Sequence, residues 1–156
     1  MAVGVLGATG LQLRGLDASR DALMRSEATQ LASDIANRIQ VNPGIDYSVT
    51  PTTAPAAAND CTVDNCTPAQ MSAYDIAQWK CAINSLDTTG ASPVTYPACS
   101  AASGLDINGS LPRGQGGITR DVKTILVDDD EYTITVSWQA PKSNTTSSVS
   151  LIIGTI

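Results

Sequence analysis

A helical pattern runs without a break from about Thr9 to Val41, and Asn42-Pro43-Gly44 ends it abruptly. At ~1.5 Å per residue a helix of that length is roughly 50 Å long, whereas a compact domain built from the rest would have a radius of gyration near ~13 Å. Such a helix must protrude. Within it, Met24, Ala28, Leu31, Ile35 and Ile39 step by four, three, four and four, which draws one apolar stripe expected to pack on a sheet. Arg20, Asp21, Arg25, Glu27, Gln30, Asp34, Asn37 and Arg38 take the remaining surface. The stop has a steric cause: the residue before a proline is pushed out of the α region, and proline cannot continue the hydrogen-bond ladder.

The upper part of the helix differs. Val3, Val5, Leu6, Leu11, Leu13 and Leu16 have no obvious sheet to lie against, and Gly4, Gly7, Gly10 and Gly15 interrupt them. Each interior glycine costs a soluble helix up to ~1 kcal/mol relative to alanine. Small residues do, however, let helices approach closely in lipid. Leu6, Leu11, Leu13 and Leu16 are therefore expected to contact partner helices. The apolar start is about half the ~20 residues of a membrane span and carries no basic leader or cleavage site. The expectation is that Met1-Ala2 is an artificial start, left when an upstream apolar segment was removed to give a soluble chain.

After Pro43 the chain changes character. Residues 47–60 are rich in Thr, Ala and Pro and read as a loop. Thr67-Pro68-Ala69-Gln70 then gives a clean helix start, with Thr at the N-cap, Pro at N1 and Gln at N3 of a capping box. The face Ile76, Trp79, Ile83, Leu86 predicts a helix to about Leu86. Residues 87–117 carry turn chemistry throughout. The alternation of Tyr132, Ile134, Val136 and Trp138 with Thr133, Thr135 and Ser137 is the clearest strand, expected to pair with residues 121–127 across Asp128-Asp129-Asp130. Residues 148–153 predict a last strand. A long helix first and an antiparallel sheet last is an α+β arrangement.

Cys61, Cys66, Cys81 and Cys99 are even in number, lack any accompanying His, and are not spaced as zinc-ligand pairs, so disulfides are the better reading. Three pairings are open. Cys61 with Cys66 and Cys81 with Cys99 are favoured because neighbours in sequence close first. Disulfides place the domain in an oxidising compartment. A net charge of −6 with no basic cluster argues against a nucleic-acid partner.

No cofactor or metal is expected. Gly114-Gln115-Gly116-Gly117 lacks the Lys-Ser/Thr and the helix of a phosphate loop, and reads as a turn before a strand. Asp128-Asp129-Asp130-Glu131 lacks the residue order of a calcium loop. A Ser or Cys nucleophile would have no His as base. Nothing in the sequence pairs Asp87 with Asp106 for acid/base work. Asn65, Asn108 and Asn144 head short glycosylation sequons of a kind common in Thr-rich chains.

Three segments together carry a family resemblance. Residues 4–14 with 28–43, the stretch Cys66-Thr-Pro-Ala-Gln-Met-Ser-Ala-Tyr-Asp-Ile-Ala-Gln-Trp79, and Leu111-Pro-Arg-Gly-Gln-Gly-Gly117 leading into Tyr132-Thr-Ile-Thr-Val-Ser-Trp138 resemble type IV pilus minor pilins of the PilV kind. The resemblance implies a pilin fold, with a spine helix over residues 1–43 and a globular head over residues 44–156. It implies a non-enzymatic protein held in the bacterial inner membrane by the missing segment, its head in the periplasm or, once assembled, at the pilus tip. Its implied partners are other minor pilins, the major pilin and a PilY-type tip adhesin, with roles in pilus assembly, adhesion and twitching motility and no small-molecule substrate. The family's prepilin peptidase site, methylated N-terminal residue and early glutamate have no counterpart in this sequence. Where the family usually has Pro-Gly-Gly, this chain has Pro112-Arg113-Gly114. A pseudopilin of type II secretion is the nearest rival, and a small periplasmic enzyme or ligand-binding domain, which would need a polar pocket, is more distant.

Overall fold

The computed structural model describes residues 3–88, 92–122, 130–139 and 145–154, with side chains described from residue 14 onward. The first helix, α1 (Val3–Val41), starts earlier than Thr9 and runs through the early glycines. Isolated glycines weaken a helix without breaking it, unlike proline. Ala28, Ala32, Ile35, Ala36 and Ile39 are buried, with Met24 and Leu31 packed against them, so two alanines widen the buried face beyond the stripe. Beyond Val41 the Asn42 N–H donates to the Ile39 carbonyl at 3.3 Å, and Gly44 turns the chain at φ +80°, a conformation that favours glycine. The Asn42 amide also donates to the Tyr47 hydroxyl at 3.0 Å and to the Pro68 carbonyl at 2.8 Å, tying this stop to the start of the next helix.

That helix, α2 (Pro68–Ile83), opens with the reciprocal cap its sequence predicts: Gln70 N–H donates to the Thr67 hydroxyl at 3.3 Å, and Thr67 N–H donates to the Gln70 side chain at 2.9 Å. It ends at Ile83, short of Leu86. Asn84 takes extended backbone angles, and its side chain holds both the N–H and the carbonyl of Leu86 at 3.1 Å. Leu86 is thereby turned out of the helix into a short strand, β1 (Leu86–Asp87), which pairs with β2 (Val94–Thr95) and leaves Leu86 exposed. Two 3-10 turns follow, Pro97–Cys99 and Ala101–Ser103.

The main sheet contains β3 (Gln115–Asp121), β4 (Glu131–Gln139) and β5 (Thr146–Gly154), antiparallel in the order β3-β4-β5. The partner of β4 lies earlier than the expected run Asp121 to Val127, of which Asp121 alone is in β3 and residues 123–127 lie outside the described residues. Gln115 pairs with Ser137 and Asp121 with Glu131, so the β3 strand ends where the expected one was to begin. Gly116 and Gly117 are inside the strand rather than in a turn. A Cβ on Gly116 would lie 2.4 Å from Ile83 Cδ1 and 2.7 Å from Trp79 Cη2, and one on Gly117 would lie 2.7 Å from Pro51 Cγ. The glycines let α2 close on one face and the residue 50–53 loop on the other.

Tyr132, Ile134, Val136 and Trp138 of β4 are buried, and Ile118, Val149, Leu151 and Ile153 join them beneath α1. Cys61 is bonded to Cys66 and Cys81 to Cys99, the second buried at the back of α2. No helix among the described residues is long and apolar enough to cross a membrane.

Candidate functional site

The exposed half of α1 is the first candidate surface. Leu16 is 63% exposed and Leu23 is 66% exposed, and a Cβ on Gly15 would meet nothing within 4 Å. An apolar residue on a surface needs no explanation when single; here two stand on the segment of helix that the sheet does not cover. The side chains of Leu6, Leu11 and Leu13 lie outside the described residues.

The lower half of α1 is held by directed bonds. Arg38 Nη1 donates to Asp75 Oδ1 at 2.8 Å and to Gln78 Oε1 at 2.7 Å, while its Nε donates to Asp34 at 3.0 Å. Burial opposes the Arg38 charge, but hydrogen bonding and attraction from Asp75 and Asp34 outweigh it and raise its pKa. Tyr47 donates its hydroxyl to the other Asp75 oxygen at 2.9 Å, and burial pushes its pKa up to about 12. Trp79 Nε1 donates to the Leu31 carbonyl at 2.9 Å. These bonds tie α1, the loop after it and α2 into one unit. The 3.6-residue periodicity does not reveal them, because each joins side chains distant in sequence.

A cleft of about 480 Å³ opens beside the end of α2, between the residue 51–55 loop, the β1–β2 ribbon and the start of β3. Lys80 forms part of its lining. Its ammonium donates to the carbonyls of Thr50, Pro51 and Thr53 at 2.7, 3.2 and 3.0 Å, and burial pulls its pKa down to about 8. Its donors are spent on main-chain carbonyls, which suits a latch on the loop better than a nucleophile. Arg113 stands at the same cleft with φ +49°, a left-handed conformation unusual for a side chain of its size.

The other sequence candidates are dispersed. Gly114 closes a turn, its N–H donating to the Leu111 carbonyl at 3.0 Å, and strand rather than helix follows. Asp130 pairs with Arg120, Asp128 and Asp129 lie outside the described residues, and Glu131 opens β4. Asp87 is in β1, and Asp106 is in the loop after the 3-10 turns. Asn65 and Asn108 are exposed, and Asn144 lies outside the described residues. Among the described residues no three metal-ligating side chains gather.

The sheet adds an edge. Among the described residues the β5 backbone pairs with β4 alone, and its outward face, with that of β4, is mostly Ser and Thr, including a Thr135–Ser150 hydroxyl contact of 3.1 Å.

A long helix half laid on an antiparallel sheet, with a short second helix and two disulfides, is an α+β, pilin-like architecture. Residues 10–77, which span most of α1, the following loop, the first disulfide and much of α2, match the Tt1218-like family model, described as type IV pilin Tt1218. That match supports a type IV pilin. No curated protein and no solved structure matches the chain.

Proposed function

We propose that this chain is a minor pilin of the type IV pilus, of the PilV kind, in which residues 1–43 form the spine and residues 44–156 the head. The carrying observation is α1 itself: its lower half is buried and bonded to the head, while its upper half presents Leu16 and Leu23 to solvent. The family match over residues 10–77 supports the same reading. A helix with one anchored half and one uncovered apolar half is suited to insertion among like helices, where close packing replaces the missing sheet.

In this reading Leu6, Leu11, Leu13 and Leu16 meet the spines of neighbouring pilins, and an upstream apolar segment anchors the chain in the inner membrane. The protein joins other minor pilins in a tip complex that primes assembly and carries a PilY-type adhesin, and through it serves adhesion and twitching motility. Its role is structural rather than catalytic, and the Lys80 bonds support that: this buried lysine at the cleft is committed to holding a loop. Leu13→Asp and Leu16→Asp, introduced singly into the full-length protein, should each sharply reduce surface pili while leaving the thermal midpoint of the soluble chain unchanged. Normal piliation with both variants would refute the reading.

A further inference from the structure

The cleft beside α2 carries charge of one sign. Lys80 and Arg113 are its cationic lining residues, and among the described residues no carboxylate lines it, although the chain has a net charge of −6. Arg113 is fixed there by its surroundings. Gly114 N–H donates to the Leu111 carbonyl and Gln139 N–H to the Pro112 carbonyl, both at 3.0 Å, so the main chain on each side of Arg113 is pinned. Its Nη1 donates to Gln139 Oε1 at 2.8 Å, and the other guanidinium N–H groups have no acceptor among the described residues. The backbone at φ +49° holds a long side chain where glycine would be relaxed, and strain kept in this way concentrates at ligand sites.

Two further side chains at the cleft keep their polar ends open. The Gln115 amide and the Tyr96 hydroxyl make no hydrogen bond among the described residues. Burial, and then the Asp87 charge, raise the pKa of the Tyr96 phenol, so it stays a neutral donor near pH 7. The main chain of the walls, by contrast, is already bonded. Lys80 holds the carbonyls of Thr50, Pro51 and Thr53, Asn84 holds both main-chain groups of Leu86, and Tyr96 N–H donates to the Ser85 carbonyl at 2.9 Å. An extended peptide is recognised through main-chain bonds at an open strand edge, which these walls do not offer. Recognition falls to side chains: a guanidinium fork, an amide and a phenol, beside the apolar surfaces of Pro51, Ile83 and Leu86. A planar fork takes a carboxylate through two parallel bonds, the amide and phenol can bond ring hydroxyls, and the apolar wall suits the C–H face of a sugar. The volume of about 480 Å³ is that of a small-ligand site. We propose that the cleft binds an acidic saccharide, a hexuronate unit of a glycan, with Arg113 on its carboxylate, Gln115 and Tyr96 on its hydroxyls, and Lys80 fixing the loop wall. Such a site gives the head a ligand of its own, whichever helices the spine meets.

The test is an NMR titration of the nitrogen-15-labelled chain with tetragalacturonate and with a hyaluronate tetrasaccharide, against the uncharged galactose tetramer and a hexaglutamate peptide. At least one of the two uronates is expected to shift the Gln115 side-chain amide and the Arg113 and Tyr96 main-chain signals in a saturable way, at least about tenfold more tightly than the uncharged tetramer, the weight of one charge-assisted pair. Arg113→Gln and Arg113→Gly should each weaken uronate binding by about tenfold and leave the uncharged tetramer unaffected. Arg113→Gly should also keep or raise the unfolding midpoint, which separates a lost contact from a folding defect. No saturable shift with either uronate, equal binding of the uncharged tetramer, or uronate binding unmoved by Arg113→Gly would each overturn the site. Hexaglutamate bound as tightly as the uronates would overturn it in favour of an acidic peptide. These results are independent of piliation with Leu16→Asp, so either idea can fail while the other stands.

Discussion

The Arg38 guanidinium sits 2.8 Å from the buried Asp75 carboxylate and joins α1 to α2. Asp75 also accepts the Tyr47 hydroxyl, so three segments converge on one carboxylate. Removing one partner leaves the other without its ligand in a partly dry site, a loss larger than the net value of the intact pair. Arg38→Ala should therefore lower stability by about 2 kcal/mol, discounted from a fully buried pair because the arginine is partly exposed. Urea denaturation measures it, and Arg38→Lys should recover only part, since a lysine cannot reach Asp75 and Asp34 in the same planar geometry.

Tyr47 makes alkaline pH destabilising. Its folded pKa, pushed up to about 12, exceeds the unfolded value of 10, so its contribution is fully present below pH 10 and is lost as pH rises from 10 to 12. Tyr47→Phe should remove that part of the alkaline loss and cost about 1 kcal/mol at neutral pH through the lost hydrogen bonds. Denaturation midpoints at successive pH values report both.

Lys80 acts with the opposite sign. Its pKa of about 8 lies below the unfolded value of 10.5, so the unfolded chain binds the extra proton between those pH values and stability rises through that window. Lys80→Met should erase the rise. It should also cost about 2 kcal/mol near pH 7, because three carbonyls lose their donor, and limited proteolysis should find the residue 50–55 loop more readily cut.

Gly116 tests the strand assignment. A methyl group there meets Ile83 and the rigid Trp79 ring well inside contact distance, so Gly116→Ala should destabilise the protein by about 1–3 kcal/mol. A residue in an open turn would tolerate alanine with little change.

The two disulfides should differ in weight. In the chain-entropy model, Cys81→Ala/Cys99→Ala, which opens the 18-residue separation, costs about 3 kcal/mol, and Cys61→Ala/Cys66→Ala costs about 2 kcal/mol. Thermal melts of the two double variants check the order.

What the sequence made legible was local chemistry. Asn42-Pro43-Gly44 ends α1 and Thr67-Pro68-Ala69-Gln70 begins α2 because proline, glycine and capping residues act on their own neighbours. The alternation in β4 was equally local. β3 escaped because its paired glycines look like a turn, and only the approach of Trp79, Ile83 and Pro51 explains them as strand residues. Leu86 has helical spacing from Ile83, but the Asn84 side chain captures it for β1. The Lys80 latch and the Arg38–Asp75–Tyr47 junction were also invisible, since a charged residue in a helix gives no sign of which distant carbonyl or carboxylate it will meet. Arg113 was visible in the sequence as part of a Pro-Arg-Gly turn, but its left-handed backbone was not.

The pilin reading is tested most directly by a photo-crosslinker placed at Leu16 of the full-length protein in its native membrane, with the adducts identified by mass spectrometry. Spine segments of other minor pilins in the adducts are the expected result. Adducts confined to secretion-system components, or to lipid with no pilin at all, would contradict it.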